Sequence, residues 1–78
     1  MQTTNKQQVT WWIPGEHSLG VVASRYTGEN DGEPYMNADV SLTSTIPREM
    51  TGEQARHLAE ALRCAADQVA GWEDEARK

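Results

Sequence analysis

The chain has one cysteine, no phenylalanine and few basic residues, and these shortages exclude several classes of protein. A single Cys cannot form an intrachain disulfide, and one Cys with two distant His residues cannot supply the four ligands of a structural zinc site. A chain of 78 residues forms one domain with a modest core, which often needs a metal, a disulfide or a second subunit. A homodimer is therefore expected, and no metal or other cofactor.

Lys and Arg number 7 against 12 acidic residues, which gives a net charge of -5. Nucleic-acid phosphates require a surplus of basic residues, so general nucleic-acid binding is not expected. The same charge argues against an anionic membrane surface. The sequence contains no apolar run long enough to span a membrane, and Met1 to Gln8 is too polar for a signal peptide. The composition therefore predicts a cytoplasmic protein without membrane attachment.

Residues 50–72 form the segment whose structure is most constrained by the sequence. Thr51 and Gln54 have the spacing of a capping box at a helix start. Gly71 is predicted to weaken or end the helix. The pattern predicts an amphipathic helix with Leu62 at the centre of its buried stripe. The stripe consists of Ala55, Leu58, Ala59, Leu62, Ala65, Ala66, Val69 and Trp72.

Three strands are predicted before this helix, at residues 8–13, 19–26 and 35–43. Pro14-Gly15 marks the first turn, and residues 27–34 are predicted to be an exposed loop. The expected fold is α+β: a three-stranded antiparallel sheet (β-β-β-α) with the helix packed on one face. This domain spans residues 8–72, between a flexible N-terminal tail at 1–7 and a polar C-terminal tail at 73–78.

One helix can cover only one face of such a sheet. The helix is predicted to cover Val9, Trp11, Ile13, Leu19, Val21, Ala23, Met36, Ala38, Val40 and Leu42. Aromatic residues on a face without a cover are typical of an interface. The opposite face is therefore the predicted partner-binding site, and it carries Trp12, Val22, Tyr26 and Tyr35. Adjacent residues of a strand point to opposite sides, so strand register decides which Trp faces outward.

Three sets of polar residues were considered as sites of chemistry. They are the helix pair His57 and Cys64, the turn pair Glu16 and His17, and the loop acids Glu29, Asp31 and Glu33. The helix pair is separated by two turns, about 11 Å, which is too far for a hydrogen bond and leaves Cys64 as an exposed thiol. The turn pair lacks a third orienting group, and the loop acids lack the full ligand set of a calcium loop. No enzymatic activity is therefore expected.

The start of the helix also resembles a known group of proteins. The C-terminal helix of small uncharacterised proteins of actinobacteria and their phages is similar to the segment Met50-Thr51-Gly52-Glu53-Gln54-Ala55-Arg56-His57-Leu58-Ala59-Glu60-Ala61-Leu62, followed by Ala65-Ala66-Asp67. In those proteins the helix begins Leu-Thr-Pro-Glu-Gln-Ala, and here Met50 and Gly52 replace the Leu and the Pro. The resemblance covers the C-terminal helix only. It implies a small cytoplasmic accessory protein and carries no activity.

Two functions remain open from the sequence. The first is a small acidic, non-enzymatic protein-interaction module, of which a phage-encoded modulator of a host protein is one form. The alternative is a dimeric nucleic-acid-associated transcriptional regulator whose exposed aromatic residues stack on bases. Arg25 and Lys6 are the only basic residues predicted near the aromatic face. Because two basic residues are too few for nucleic acid, the first function is favoured.

Overall fold

The computed structural model describes residues 4–15 and 18–77. Strands β1 (Thr4–Trp12), β2 (Gly20–Asn30) and β3 (Glu33–Leu42) form an antiparallel sheet in the order β1-β2-β3, and helix α1 (Gly52–Ala76) follows. The predicted α+β fold is confirmed. No helix in the described ranges is both long and apolar enough to cross a membrane. The pair Glu16 and His17 lies outside the described residues.

The second hairpin differs from the prediction of an exposed loop at residues 27–34. Strand β2 continues to Asn30, β3 begins at Glu33, and these two residues pair across a turn made by Asp31 and Gly32. Both turn residues have positive φ, 54° and 81°. A two-residue turn of this kind requires positive φ at both positions, which is why Asp-Gly is favoured there. The loop prediction was wrong because Asp31 and Gly32 alone make the turn, so the residues on either side of them pair as strands.

The ordered elements also extend into both segments predicted as tails. Strand β1 begins at Thr4, because the longer β2 offers a partner as far as Gly28. Helix α1 continues through Gly71 to Ala76 and keeps Trp72 buried. The packing of that indole against the sheet outweighs the cost of one Gly within a helix, which is about 1 kcal/mol.

The buried stripe of α1 is rotated relative to the prediction. The helix residues in the core are Leu58, Ala61, Ala65 and Trp72. Leu62 is 40% exposed, so its predicted place at the centre of the stripe was wrong. Ala55, Ala59 and Ala66 are exposed as well. The core stripe follows spacings of three, four and seven residues through Trp72, the largest apolar side chain on the helix.

Trp72 is also held by a charged partner from the sheet. The guanidinium carbon of Arg25 lies 5.4 Å from the centre of the indole ring. Its Nη1 donates a hydrogen bond to Glu75, at 3.1 Å, and its Nη2 donates to Gln7 on β1. A cation above an aromatic face adds electrostatic attraction to the packing. These contacts fix the C-terminal part of α1 against β2.

The start of α1 is fixed by the predicted capping box. The backbone amide of Gln54 donates to the Thr51 hydroxyl at 3.1 Å, and the backbone amide of Thr51 donates to the side-chain oxygen of Gln54 at 3.0 Å. We expect Thr51→Ala to lower the free energy of unfolding by about 1 kcal/mol, because one helix donor loses its acceptor. Thr51→Ser keeps the hydroxyl and should retain the stability. Urea denaturation followed by circular dichroism measures both, and equal curves for the alanine and serine variants would contradict the role of the cap.

Candidate protein-binding face

The two adjacent tryptophans of β1 point to opposite sides of the sheet. Trp11 packs against the core under α1, whereas Trp12 is 61% exposed. We call the side of the sheet opposite α1 the outer face. The strand register places Val22, Tyr26 and Tyr35 on it, because each alternates with residues that face the helix. The four residues predicted as a partner-binding site therefore share this face, but Val22 is only 9% exposed, so the prediction that it lies uncovered was wrong.

Gly20 provides the surface on which the Trp12 ring lies. The two residues are directly paired across β1 and β2. A Cβ atom added at Gly20 would approach Cε3 of Trp12 to 2.9 Å, closer than such contacts occur in proteins. The indole therefore lies close to the bare backbone of β2, while 61% of the residue is exposed. This arrangement leaves a large apolar surface without a covering element.

The four residues lie in two groups on the outer face rather than in one aromatic cluster. Trp12 and Val22 occupy neighbouring rows at one end of the outer face. Tyr26 pairs with Lys6, six residues before Trp12, which places it about 20 Å away along the strands. Tyr35 lies one row farther along. The outer face thus has an indole patch at one end and a tyrosine patch at the other.

Each tyrosine of the tyrosine patch contacts a residue of β1. Nζ of Lys6 lies 5.5 Å from the centre of the Tyr26 ring, a distance that suits a cation–π contact. The hydroxyl groups of Thr4 and Tyr35 form a hydrogen bond of 3.3 Å. Tyr35 is 37% exposed, less than Trp12. The patch is amphipathic: its rings are apolar, but its edges carry a cation and the hydroxyl groups of Thr4 and both tyrosines.

Between the two patches the outer face is polar. Gln8 donates a hydrogen bond of 3.1 Å to the hydroxyl of Ser24, which is buried by its neighbours. Asp39 pairs with Ser24 from the other side and is exposed. No buried side-chain nitrogen or oxygen in the described part of the chain lacks a hydrogen-bond partner. The buried polar groups at the centre of the outer face are therefore hydrogen-bonded within the chain. This polar region separates the indole patch from the tyrosine patch.

Arg25 does not contribute to the outer face, contrary to the sequence-based expectation. It faces α1, where Glu75 and Gln7 bind its guanidinium. Of the strand residues described by the structure, only Lys6 is basic and lies on the outer face. Asp39 adds a negative charge to the same surface. The face is therefore poorly suited to a polyanion such as nucleic acid.

The solvated side of α1 contains ion pairs between neighbouring turns of the helix. Nε2 of His57 lies 3.8 Å from Glu53, one turn away, rather than beside Cys64. Cys64 is half-buried, not fully exposed as predicted, and its Sγ lies 3.8 Å from the Glu60 carboxylate. Arg63 forms a salt bridge with Glu60. The hydrogen bond from Arg63, together with its charge, holds the pKa of Glu60 below its ordinary value.

The acidic hairpin and a shallow groove beside α1 were the remaining candidate places for a metal or a substrate. Among the described residues, no three His, Cys, Asp or Glu side chains converge on a position that could hold a metal ion. A shallow groove of about 430 Å³ lies between Met36 and the C-terminal end of α1. Its one cationic side chain, Arg25, is already bound by Glu75. The charge of Arg25 in this groove is therefore paired within the chain.

A second set of exposed apolar residues was not anticipated from the sequence. Val40 and Leu42 pair with Ala23 and Val21, which are fully buried under α1, and so share the helix side of the sheet. The prediction that α1 covers Val40 and Leu42 was nevertheless wrong, because they are 39% and 36% exposed. Ile46, in the segment between β3 and α1, is exposed as well.

Comparison of the chain with protein-family models, with curated proteins and with solved structures finds no significant match. The outer face is thus interpreted from its own geometry. Its most distinctive feature is one indole, fixed on Gly20 and largely open to solvent.

Proposed function

We propose that the protein is a non-enzymatic protein-interaction module whose outer face binds a protein partner. The observation that carries this proposal is Trp12, which is 61% exposed although it is held in place by packing against Gly20. An exposed Trp offers a large contact area at a small cost in side-chain entropy, because its side chain has only two rotatable bonds. Trp and Tyr are the residues on which binding energy is most often concentrated in protein interfaces.

The charge of the outer face favours a protein over nucleic acid. A transcriptional regulator that stacked bases on Trp12 and the tyrosines would also need basic side chains along the phosphate path. Lys6 is engaged with Tyr26, Arg25 faces the helix, and Asp39 lies between the patches. A protein partner with a pocket for the indole and polar groups opposite Asp39 fits this distribution better. The alternative function as a dimeric regulator of transcription therefore receives less support.

The setting of this function is part of the same proposal. The resemblance of the helix start to small proteins of actinobacteria and their phages favours an accessory role in the cytoplasm of such a host. One concrete form is a phage-encoded modulator that binds a host protein and alters its activity by occupying a surface. This form requires no cofactor and no chemistry from the module itself.

Affinity capture with matched baits tests the proposal. The wild-type chain, Trp12→Glu, Trp12→Phe and Ala59→Glu are each immobilised and exposed to actinobacterial lysate. Ala59→Glu makes the same change of charge on the exposed side of α1. We expect at least one protein to be retained by the wild type, Trp12→Phe and Ala59→Glu, with binding to Trp12→Glu weakened at least about thirtyfold, as for an interface hot spot.

The same experiment can contradict the proposal in two ways. One is a wild-type bait that retains no protein beyond those captured by Trp12→Glu. The other is a bound nucleic acid that protects the outer face and survives nuclease-free washing at high salt. Circular dichroism of each bait confirms that the compared proteins are folded.

A further inference from the structure

The outer edge of β3 presents a row of unpaired backbone groups. Of the residues that the structure describes, none pairs with this edge, because β2 lies between β1 and β3. The Thr43 amide donates to the Gly20 carbonyl at 3.0 Å. Hydrogen-bonded pairs alternate along an antiparallel ladder, so the odd-numbered residues of β3 bond to β2. The even-numbered residues therefore direct their backbone groups outward: Met36, Ala38, Val40 and Leu42 present both an amide and a carbonyl, whereas Pro34, at the end of the row, presents a carbonyl alone.

These outward-directed residues also carry the apolar side chains of β3. Their side chains lie on the helix side, and α1 leaves Val40 and Leu42 partly uncovered. A long, regular edge with apolar side chains is a template for pairing with another strand. The edge of β1 is different: Lys6 guards it, Asn5 and Gln7 occupy two of its four helix-side positions, and Val9 and Trp11 at the other two pack against the core. Of the two sheet edges, β3 is the one suited to a partner strand.

We infer that this edge binds a second copy of the chain, with the two β3 strands antiparallel about a twofold axis at Ala38. In this register Val40 faces Met36 of the partner subunit, and Asp39 faces Asn37 of the partner subunit. Each contact occurs twice, as twofold symmetry requires. The sheet then continues through six strands, and the helices lie on one side of it. The outer faces of both copies stay open, so this inference does not depend on the function proposed above.

Charge and overlap select this register over its neighbours. A twofold axis at Asp39 would place two carboxylates directly opposite, at a Cα separation of about 4.5 Å, where like charges are destabilising. An axis at Val40 would avoid that contact but would pair only Ala38 to Leu42 within the two strands. An axis at Asn37 would pair Glu33 to Ser41, a ladder of the same length, but would leave Leu42 outside it. The axis at Ala38 pairs Pro34 to Leu42 of both copies and so includes all five outward-directed residues without opposed charges.

Exposed apolar side chains on the edge strand enlarge the surface available to the second copy. A strand edge alone is smaller than the roughly 1,200 Å² that a stable interface buries. Val40 and Leu42, which are 39% and 36% exposed, supply apolar area for part of the remainder.

Val40→Pro is the direct test, with Val40→Thr as its matched control. The Val40 amide faces the open edge, so proline removes no hydrogen bond to β2 but blocks a strand from pairing. Sedimentation velocity over a concentration series should show a dimer for the wild type and for Val40→Thr. Val40→Pro should stay monomeric over the same range, with an unchanged helical signal in circular dichroism. A monomeric wild type, or a Val40→Pro chain that dimerises like the control, would overturn the inference.

Two opposite substitutions at Asn37 test the register. Asn37→Lys places a cation opposite Asp39 of the partner subunit at both symmetric positions, whereas Asn37→Asp places an anion there. We expect the dimer dissociation constant to fall by roughly two- to thirtyfold with lysine and to rise by a similar factor with aspartate. Thr10→Lys and Thr10→Asp make the same charge changes on the outer face of β1. They should leave the dimer dissociation constant unchanged. Equal shifts at both positions would place self-association elsewhere and overturn the register.

Discussion

Trp72→Ala is expected to lower the free energy of unfolding by roughly 3–5 kcal/mol, the range for loss of a large buried aromatic side chain. Trp72 is 4% exposed and is the largest side chain that α1 contributes to the core. Its removal also leaves the Arg25 guanidinium without the ring below it. Native domains are stable by only about 5–15 kcal/mol, so this variant loses a large share of its stability. Urea denaturation followed by far-ultraviolet circular dichroism measures the loss.

Leu62→Ala is the control that tests the assignment of the buried stripe. Leu62 is 40% exposed, so truncating it removes less area from the core and opens no enclosed cavity. We expect a loss of about 1 kcal/mol or less. If Leu62→Ala cost as much as Trp72→Ala, the helix would present a different face to the sheet.

Ala65→Leu is expected to lower the free energy of unfolding by about 1–3 kcal/mol through overpacking. Ala65 is fully buried in the cluster that contains Val21 and Ala23. All three residues are small or β-branched, and the helix lies close to the sheet because Ala65 has only a methyl group. A leucine there must push α1 away or adopt a strained rotamer. The same denaturation experiment detects the change.

Ala66→Leu provides the matched comparison, one residue farther along the same helix. Ala66 is exposed, so the longer side chain extends into solvent and should change stability by no more than about 0.5 kcal/mol. A stabilising effect of Ala65→Leu would indicate an unfilled space under the helix. That result would contradict the close packing of α1 on β2.

The features that were predicted correctly depend on short-range rules. The capping box is specified by Thr51 and Gln54 alone, three residues apart, and both of its hydrogen bonds are present. The opposite orientation of Trp11 and Trp12 follows from the two-residue period of a strand. The alternation of apolar residues in both earlier strands then assigned Trp12 to the uncovered side, as the structure confirms.

The face of α1 was predicted only in part, because alanine carries little information about burial: Leu58, Ala65 and Trp72 are buried as predicted, whereas Leu62 is exposed and Ala61 was missed. Two neighbouring stripes of the helix are both apolar, one through Leu62 and the other through Leu58 and Ala65. They differ by a rotation of the helix that changes the amount of buried area only slightly. The position of Trp72, seven residues after Ala65, distinguishes them, because burial of an indole outweighs that of several methyl groups.

The separation of the outer face into two patches needed long-range information. The distance between Trp12 and Tyr26 is set by the register of β1 against β2, and that register is not contained in either strand alone. The exposure of Val40 likewise depends on how α1 crosses the sheet, which is decided by contacts at its far end. The Arg25–Glu75 ion pair is one such contact, joining residues 50 positions apart.

Hydroxyl-radical footprinting of the three tryptophans tests the central claim, that the outer face is an interaction surface, most directly. In the free chain we expect Trp12 to be oxidised fastest and Trp72 slowest, in the order of their exposure. In the complex captured by the wild-type bait, the rate at Trp12 should fall to that of a buried residue while Trp72 stays unchanged. An unchanged rate at Trp12 in the complex, with protection appearing instead on α1, would contradict the account.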